Sequence, residues 1–218
     1  MSNKSNQGLV DYALKQVGIK YVMGTNCRLL TASRLQSLIN TNPVNWFTVD
    51  RIKECNKWVG QVTTDCHGLI EGYINDYNLN GVVEAGEGTY DMTSDNAFNK
   101  ATVKGEISTI DKDLVGLCVR YPGHVGVYIG NGQVVEARGL NYGVCITNLK
   151  DRPWTHWYEH PGIEYEKVTT KRVLLLTTPY MRGNDVKKLQ QLIGVNADGI
   201  YGPVTDKKVK EILGVLGK

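Results

Sequence analysis

A cysteine, a histidine and a glutamate stand along this chain at positions where each can take one role in nucleophilic acyl transfer. Cys66 lies in Thr63-Thr64-Asp65-Cys66-His67-Gly68-Leu69-Ile70. After it Leu69, Ile70, Tyr73, Ile74 and Tyr77 recur at helical spacing, and Thr63, Thr64 and Asp65 are residue types that cap helix starts. The pattern predicts Cys66 in the first turn of a helix, where unpaired N–H groups and the helix dipole favour the thiolate, its reactive form. A buried structural cysteine is the competing reading of this stretch taken alone.

His124 and Glu136 come from His124-Val125-Gly126-Val127-Tyr128-Ile129, Gly130-Asn131-Gly132 and Gln133-Val134-Val135-Glu136-Ala137-Arg138. Two alternating strands joined by a Gly-Asn-Gly turn read as a hairpin. If Val125, Val127 and Ile129 share a core face with Val135 and Ala137, odd positions pair with odd ones, and a three-residue loop at 130–132 is expected. His124 and Glu136 then become diagonal neighbours on the other face, Cβ atoms roughly 7 Å apart. Gly126 leaves the space between them clear. A surface histidine and a solvated carboxylate are the bland alternative.

Together the three residues suit attack on an acyl carbon: the thiolate attacks, the imidazole moves the proton, and the carboxylate fixes the imidazole's tautomer and orientation. The Cys66 backbone N–H and the Tyr21 hydroxyl are candidate oxyanion donors, and Asp65 and Arg138 are further candidates for oxyanion or substrate contacts. His156 and His160 look exposed and rank below His124 as the base, because no periodicity aims them at Cys66. A zinc site drawing on Cys27, Cys55, Cys66 and His67 lacks any Cys-x-x-Cys pair, so no metal and no cofactor is expected.

The surrounding elements are those of a globular chain of 218 residues, 41% hydrophobic with a formal charge of +3. That mild charge, without an arginine-rich run, argues against nucleic acid. The polar N-terminus leads into an amphipathic segment, so neither a secretory signal nor membrane insertion is expected, and the chain reads as made in the cytoplasm. Five widely spaced cysteines point to reduced thiols. Leu9, Val10, Ala13, Leu14 and Val17 form one helical stripe closed by Gly18. Residues 27–60 read as an insertion with short helices at 32–39 and 49–59, either anchored by its aromatics or walling the site. Residues 78–104 are polar with a short helix at 93–101, and strands are expected at 117–121 and 144–147.

From Lys167 the composition changes. Residues 167–172 read as a linker, and 173–218 as a small helical module. In it Val186, Leu189, Leu192 and Ile193 face inward on one helix, and Val209, Ile212, Leu213 and Leu216 on a second helix capped by Thr205.

Lys20-Tyr21-Val22-Met23-Gly24, Asp65-Cys66-His67-Gly68-Leu69-Ile70 and Gly123-His124-Val125-Gly126-Val127-Tyr128-Ile129-Gly130 follow one another as do the three motifs of the NlpC/P60 papain-like cysteine peptidases, which residues 1–166 resemble. The resemblance implies an α+β fold, N-terminal helices packed on an antiparallel sheet, and cleavage of amide bonds in peptidoglycan stem peptides, commonly between D-glutamate and the diamino acid. His67 departs from the family's serine, Glu136 from its frequent third histidine, and residues 27–60 split two motifs usually close together. Val186-Lys187-Lys188-Leu189-Gln190-Gln191-Leu192 and Asp198-Gly199-Ile200-Tyr201-Gly202-Pro203-Val204-Thr205 resemble the peptidoglycan-binding type 1 domain, which implies Asp198, Gly199, Tyr201 and Gly202 as wall-binding candidates. An excess of lysine and arginine in this tail would suit an anionic wall.

The combined expectation is a peptidoglycan hydrolase with a wall-binding module, resembling a phage or prophage endolysin and acting at the bacterial cell wall. The alternatives are an N-acetylmuramoyl-L-alanine amidase using the same Cys and His, and a binding module whose catalytic half is inert.

Overall fold

The computed structural model describes residues 4–42, 45–77, 92–166 and 174–216. It divides into two compact units, Met1–Thr169 and Thr170–Lys218. The expected linker at 167–172, and 78–91 of the polar stretch, lie outside the described residues. The fold is α+β, as the sequence implied.

The first unit opens with helix α1 (Asn6–Lys15), started by the Ser5 hydroxyl accepting from the Gly8 N–H. Leu9, Val10, Tyr12 and Ala13 are its buried face, whereas Leu14 and Val17 are exposed, so the inward stripe is rotated from the expected one. A three-stranded sheet follows, with β1 (Lys20–Tyr21), β2 (Asn26–Leu29) and β3 (Val62–Thr64) in the order β1-β3-β2. Thr63 and Thr64, read as caps in the sequence, are buried strand residues of β3.

Between β2 and β3 lies the insertion, with helices α2 (Ala32–Thr41) and α3 (Val49–Asn56) capped by the Thr31 and Thr48 hydroxyls. It has its own small core, in which Leu30, Leu35, Cys55 and Trp58 pack with Val22 of the body. Its aromatics do anchor it: Trp46 lies against Tyr21 with ring centroids 5.8 Å apart. Helices α4 (Gly68–Ile74) and α5 (Ser94–Lys100) complete the helical layer.

That layer covers a six-stranded antiparallel sheet made of β4 (Lys104–Glu106), β5 (Cys118–Tyr121), β6 (His124–Gly130), β7 (Gln133–Ala137), β8 (Val144–Asn148) and β9 (His156–Tyr158). The strand order is β4-β9-β5-β6-β7-β8. Val127 pairs with Val135 and Tyr128 with Val134, the register the apolar pattern requires. Near the turn the register shifts, because Gly130 pairs with Gln133 and Ile129 is left as a bulge. The loop is therefore Asn131-Gly132 rather than three residues, and both have positive φ, as a type I′ turn demands.

Val125, Val127, Val135 and Ala137 join α1 and α4 in the main core. The opposite face is not solvent either. Tyr128, Val134 and Val119 pack there with Leu117 and Trp154 in a second core. Irregular chain around 107–117 and 149–154 supplies that cover, and its lack of periodicity leaves no sign of it in the sequence pattern.

In the second unit, α6 (Asn184–Ile193) and α7 (Pro203–Leu216) flank the Asp198-Gly199 turn. Leu192 (86%) and Leu213 (61%) are exposed rather than inward. The Leu216 side chain lies outside the described ones. Thr205 is not a cap but a buried residue inside α7, whose hydroxyl receives the Gln190 Nε2–H at 3.0 Å.

Candidate active site

Helix α4 begins at Gly68 with His67 as its cap residue, so Cys66 sits just before the helix and not in its first turn. What holds the cysteine turn is Asp65. One carboxylate oxygen accepts from the Gly68 N–H at 2.7 Å and the other from the Gly24 N–H at 2.8 Å. This acid therefore ties Gly24, before the insertion, to the cysteine turn after it. Its pKa is raised, burial outweighing those two amides.

The half-buried Cys66 thiol lies 4.0 Å from the Gly123 carbonyl oxygen. Its sulfur also faces the Val125 N–H and the backbone amides of His67 and Cys66 itself. It thus meets the backbone on both sides of His124. Burial, then the Asp65 charge, push the thiol well above its ordinary range, and the amides only partly offset them. This corrects the expectation of a stored thiolate: a seven-residue helix that starts beyond the cysteine does not outweigh desolvation.

His124 and Glu136 are in direct contact, Nε2 to Oε2 at 2.7 Å. Glu136 is fully buried, and its charge is answered from three further donors. Arg152 Nε reaches Oε1 at 2.7 Å and an Arg152 terminal nitrogen reaches Oε2 at 2.9 Å, while the Thr147 hydroxyl donates to Oε1 at 2.7 Å. Burial works to raise the Glu136 pKa, but the bonds from His124, Arg152 and Thr147 more than offset it and hold it at about 2. The carboxylate is therefore ionised and can only accept, which places the proton of neutral His124 on Nε2 and leaves the Nδ1 lone pair for the thiol.

Packing fixes the imidazole plane. Trp154 stacks on His124 at 5.6 Å with 9° between planes, and Tyr121 lies 5.0 Å away on a tilt. Gly126 makes this closeness possible, since a Cβ there would stand 2.6 Å from Val134 Cγ1 and 3.2 Å from both Glu136 Cβ and a Trp154 ring carbon. Arg152, Thr147 and Trp154 were not singled out from the sequence. Arg152 and Trp154 follow the last hairpin strand in an aperiodic stretch, and an arginine within reach of a buried glutamate is a signal only once both are placed.

The other candidates fall variously. Tyr21 is buried, its hydroxyl 3.9 Å from Met23 Sδ, and burial followed by the Cys66 and Asp65 charges keeps it protonated. The Arg138 guanidinium packs 4.1 Å over the Tyr142 ring. His160 is buried rather than exposed: its Nε2 lies 3.1 Å from His67 Nε2, and its Nδ1 accepts from the Gly162 N–H. His67 Nδ1 in turn meets Glu71 at 3.0 Å. Burial, then His67, lower the His160 pKa to about 3, so it stays neutral and its Nε2–H donates to His67. His67 thus latches the cysteine turn to the chain beyond β9. His156 is half-buried against Phe98 and Glu106.

Cys27 and Cys55 lie in separate cores, the first packed near Tyr12 and Gly72 and the second inside the insertion, so neither joins Cys66. In the second unit Asp198 and Gly199 are bound by Gln190: its Nε2 donates to Asp198 Oδ1 and its Oε1 accepts from the Gly199 N–H, both at 2.8 Å. Tyr201 is buried. These residues shape the turn.

A cleft of about 490 Å³ opens over Cys66, walled on one side by α2 of the insertion and on another by the start of α5.

A model of the NlpC/P60 family matches residues 54–162. Among solved structures, the chain is 21% identical to the peptidoglycan hydrolase RipB from Mycobacterium tuberculosis, covering 73% of this chain and 67% of that one at a TM-score of 0.42. It is 20% identical to the P60 domain of an antigen from M. avium subspecies paratuberculosis, covering 73% and 98% at a TM-score of 0.43. It is 16% identical to NlpC2 from Trichomonas vaginalis, covering 73% of this chain and 49% of that one at a TM-score of 0.41, and so spans about half the length of that protein. No curated protein matches the chain.

Proposed function

The chain belongs to the NlpC/P60 family of cysteine peptidases, and from that premise we propose that it hydrolyses an amide bond in the stem peptide of bacterial peptidoglycan, between the D-γ-glutamyl residue and the diamino acid. The observation that carries the mechanism is the 2.7 Å contact between His124 Nε2 and the buried, ionised Glu136, beside a sulfur that meets the backbone of both neighbours of that histidine, Gly123 and Val125.

In this reading His124 Nδ1 takes the Cys66 proton as the sulfur attacks the carbonyl carbon, because the resting thiol is protonated. The oxyanion that forms is received by backbone N–H groups at the cysteine turn and by the Tyr21 hydroxyl. His124 then gives its proton to the leaving nitrogen, the C–N bond breaks, and a thioester remains. Water, deprotonated by the same imidazole, releases the acid and restores the thiol. Glu136 keeps the imidazole in one tautomer and balances the imidazolium, while Arg152 keeps Glu136 ionised.

We further propose that the unit Thr170–Lys218 binds the wall polymer and that the protein acts at the cell wall as an endolysin. The likeness of its two helices and Asp-Gly turn to wall-binding modules supports this part. Digestion of purified walls followed by mass spectrometry tests the whole. The expected product is stem peptide cut at the γ-glutamyl bond, absent with Cys66→Ala. Intact stem peptides freed from glycan would instead identify an amidase, and an active Cys66→Ala variant would refute the mechanism.

A further inference from the structure

A second cavity, of about 860 Å³, shares no lining residue with the cleft over Cys66. Tyr128 lines it, from the same face of β6 as His124, and its buried hydroxyl ties the rim together. That hydroxyl donates to the Lys112 carbonyl at 3.2 Å and accepts from the Gly132 N–H at 3.4 Å, and the Gly132 carbonyl accepts from the Leu149 N–H at 2.8 Å. The stretches around Lys112, Gly132 and Leu149 are thus held to one another. Size and mixed aromatic and polar lining match those of small-molecule sites.

The charge in this cavity is one-sided. Lys112, Lys150 and Arg152 line it against a single carboxylate, Asp113, and the adjoining Asp151 is already engaged by the Asn148 side-chain amide at 2.7 Å. Neither lysine ammonium has a hydrogen bond or ion pair among the described residues. Arg152 is the anchored member, its side chain 15% exposed. Its Nε and Nη2 hold Glu136, and Nη2 also donates to the Tyr121 hydroxyl at 3.2 Å, whereas Nη1 has no acceptor among the described residues. Trp154, which also lines the cavity, is buried with its Nε1–H unpaired among the described residues. A buried donor without an acceptor is rare in a folded chain and calls for a partner.

We propose that this cavity is a binding site for an organic phosphate, whose anionic head is received by Arg152 Nη1, Lys112 and Lys150 and whose uncharged body rests on Tyr128, Leu149 and Trp154. A phosphate monoester offers three oxygens outside its ester bond, one for each cation, where a carboxylate offers two. Arg152 also grips Glu136 and Trp154 also stacks on His124, so occupancy of the cavity bears on the catalytic pair through two side chains.

The test titrates the full chain with phenyl phosphate, with benzoate as the carboxylate on the same ring, and with inorganic phosphate, all at constant ionic strength. Binding is read from the assigned indole N–H signal of Trp154 in nitrogen–proton correlation spectra. Phenyl phosphate is expected to shift that signal saturably and to bind about 10-fold or more tightly than either benzoate or inorganic phosphate, as added charge-assisted and apolar contacts imply. Lys112→Gln and Lys150→Gln together are expected to weaken it by about 10- to 100-fold, with the unfolding midpoint of the free protein unchanged because both side chains are exposed. The absence of a saturable Trp154 shift with phenyl phosphate overturns the site. Unchanged affinity in the double variant overturns the placement of the anionic head. Benzoate bound as tightly as phenyl phosphate overturns the phosphate class, and inorganic phosphate bound as tightly overturns the seat for an organic body.

Discussion

Glu136 holds a full charge at a position without solvent, and everything around it follows from that. Replacing it with glutamine keeps the volume but leaves Arg152 facing a neutral amide, and an amide NH2 turned toward His124 selects the wrong tautomer. Glu136→Gln is expected to lower kcat on the order of 10²-fold with little change in KM, measured on a soluble stem peptide. Removing the other partner is worse for stability. Arg152→Met strands a buried carboxylate and is expected to cost about 3–5 kcal/mol in urea unfolding. The pH dependence has a definite sign. Because the folded pKa of about 2 lies below the ordinary 4.5, the stability owed to Glu136 is full above pH 4.5 and is lost as pH falls through about 2. In Arg152→Met that loss moves to higher pH. The cysteine, histidine and glutamate were legible in the sequence because strand alternation places two of them and a helical run follows the third. Arg152, Thr147 and Trp154 were not, since pairwise contact across strands and irregular chain leaves no periodic trace.

At the scale of elements, β6 and β7 approach the second core closely enough that Gly126 has no substitute. Gly126→Ala is expected to displace Glu136 or Trp154, and activity should fall at least 10-fold while the helical circular dichroism persists. The His67–His160 latch between the α4 turn and the chain beyond β9 gives a second test. His160 has its folded pKa lowered from 6.5 to about 3, so the unfolded chain binds the proton first as pH falls. Stability is therefore expected to be full above about pH 6.5 and to decline between there and about pH 3. His160→Gln should flatten that slope in urea midpoints taken across the range. The hairpin register was readable from its valines, but the bulge at Ile129 was not, because it moves a residue out of the ladder without altering the apolar alternation farther along.

For the whole molecule, the two compact units divide the labour proposed above. Deleting the second unit at Thr169 is expected to leave cleavage of soluble stem peptides within about threefold and to weaken pelleting with insoluble walls by 10-fold or more. Equal pelleting would show that the second unit does not bind the wall. Helices α1 to α5 and strands β5 to β8 of the catalytic unit could be read along the chain, whereas the short strands β1 to β4 and β9 could not. That the sheet is buried on both faces could not, because its second cover is assembled from loops.

The neck of the insertion has a consequence of its own. Leu29 pairs with Val62, and the Leu30 N–H donates to Gln61 while the Gly60 N–H donates back to Leu30. The chain between these points leaves and re-enters the body at one place, so its length enters the folding free energy only logarithmically, about 0.6 kcal/mol for each doubling. The catalytic body is thus a chassis with a socket. A different cassette, spliced in at Leu30 and Gln61, can bring its own wall to the cleft while Asp65, Cys66, His124 and Glu136 stay where they are.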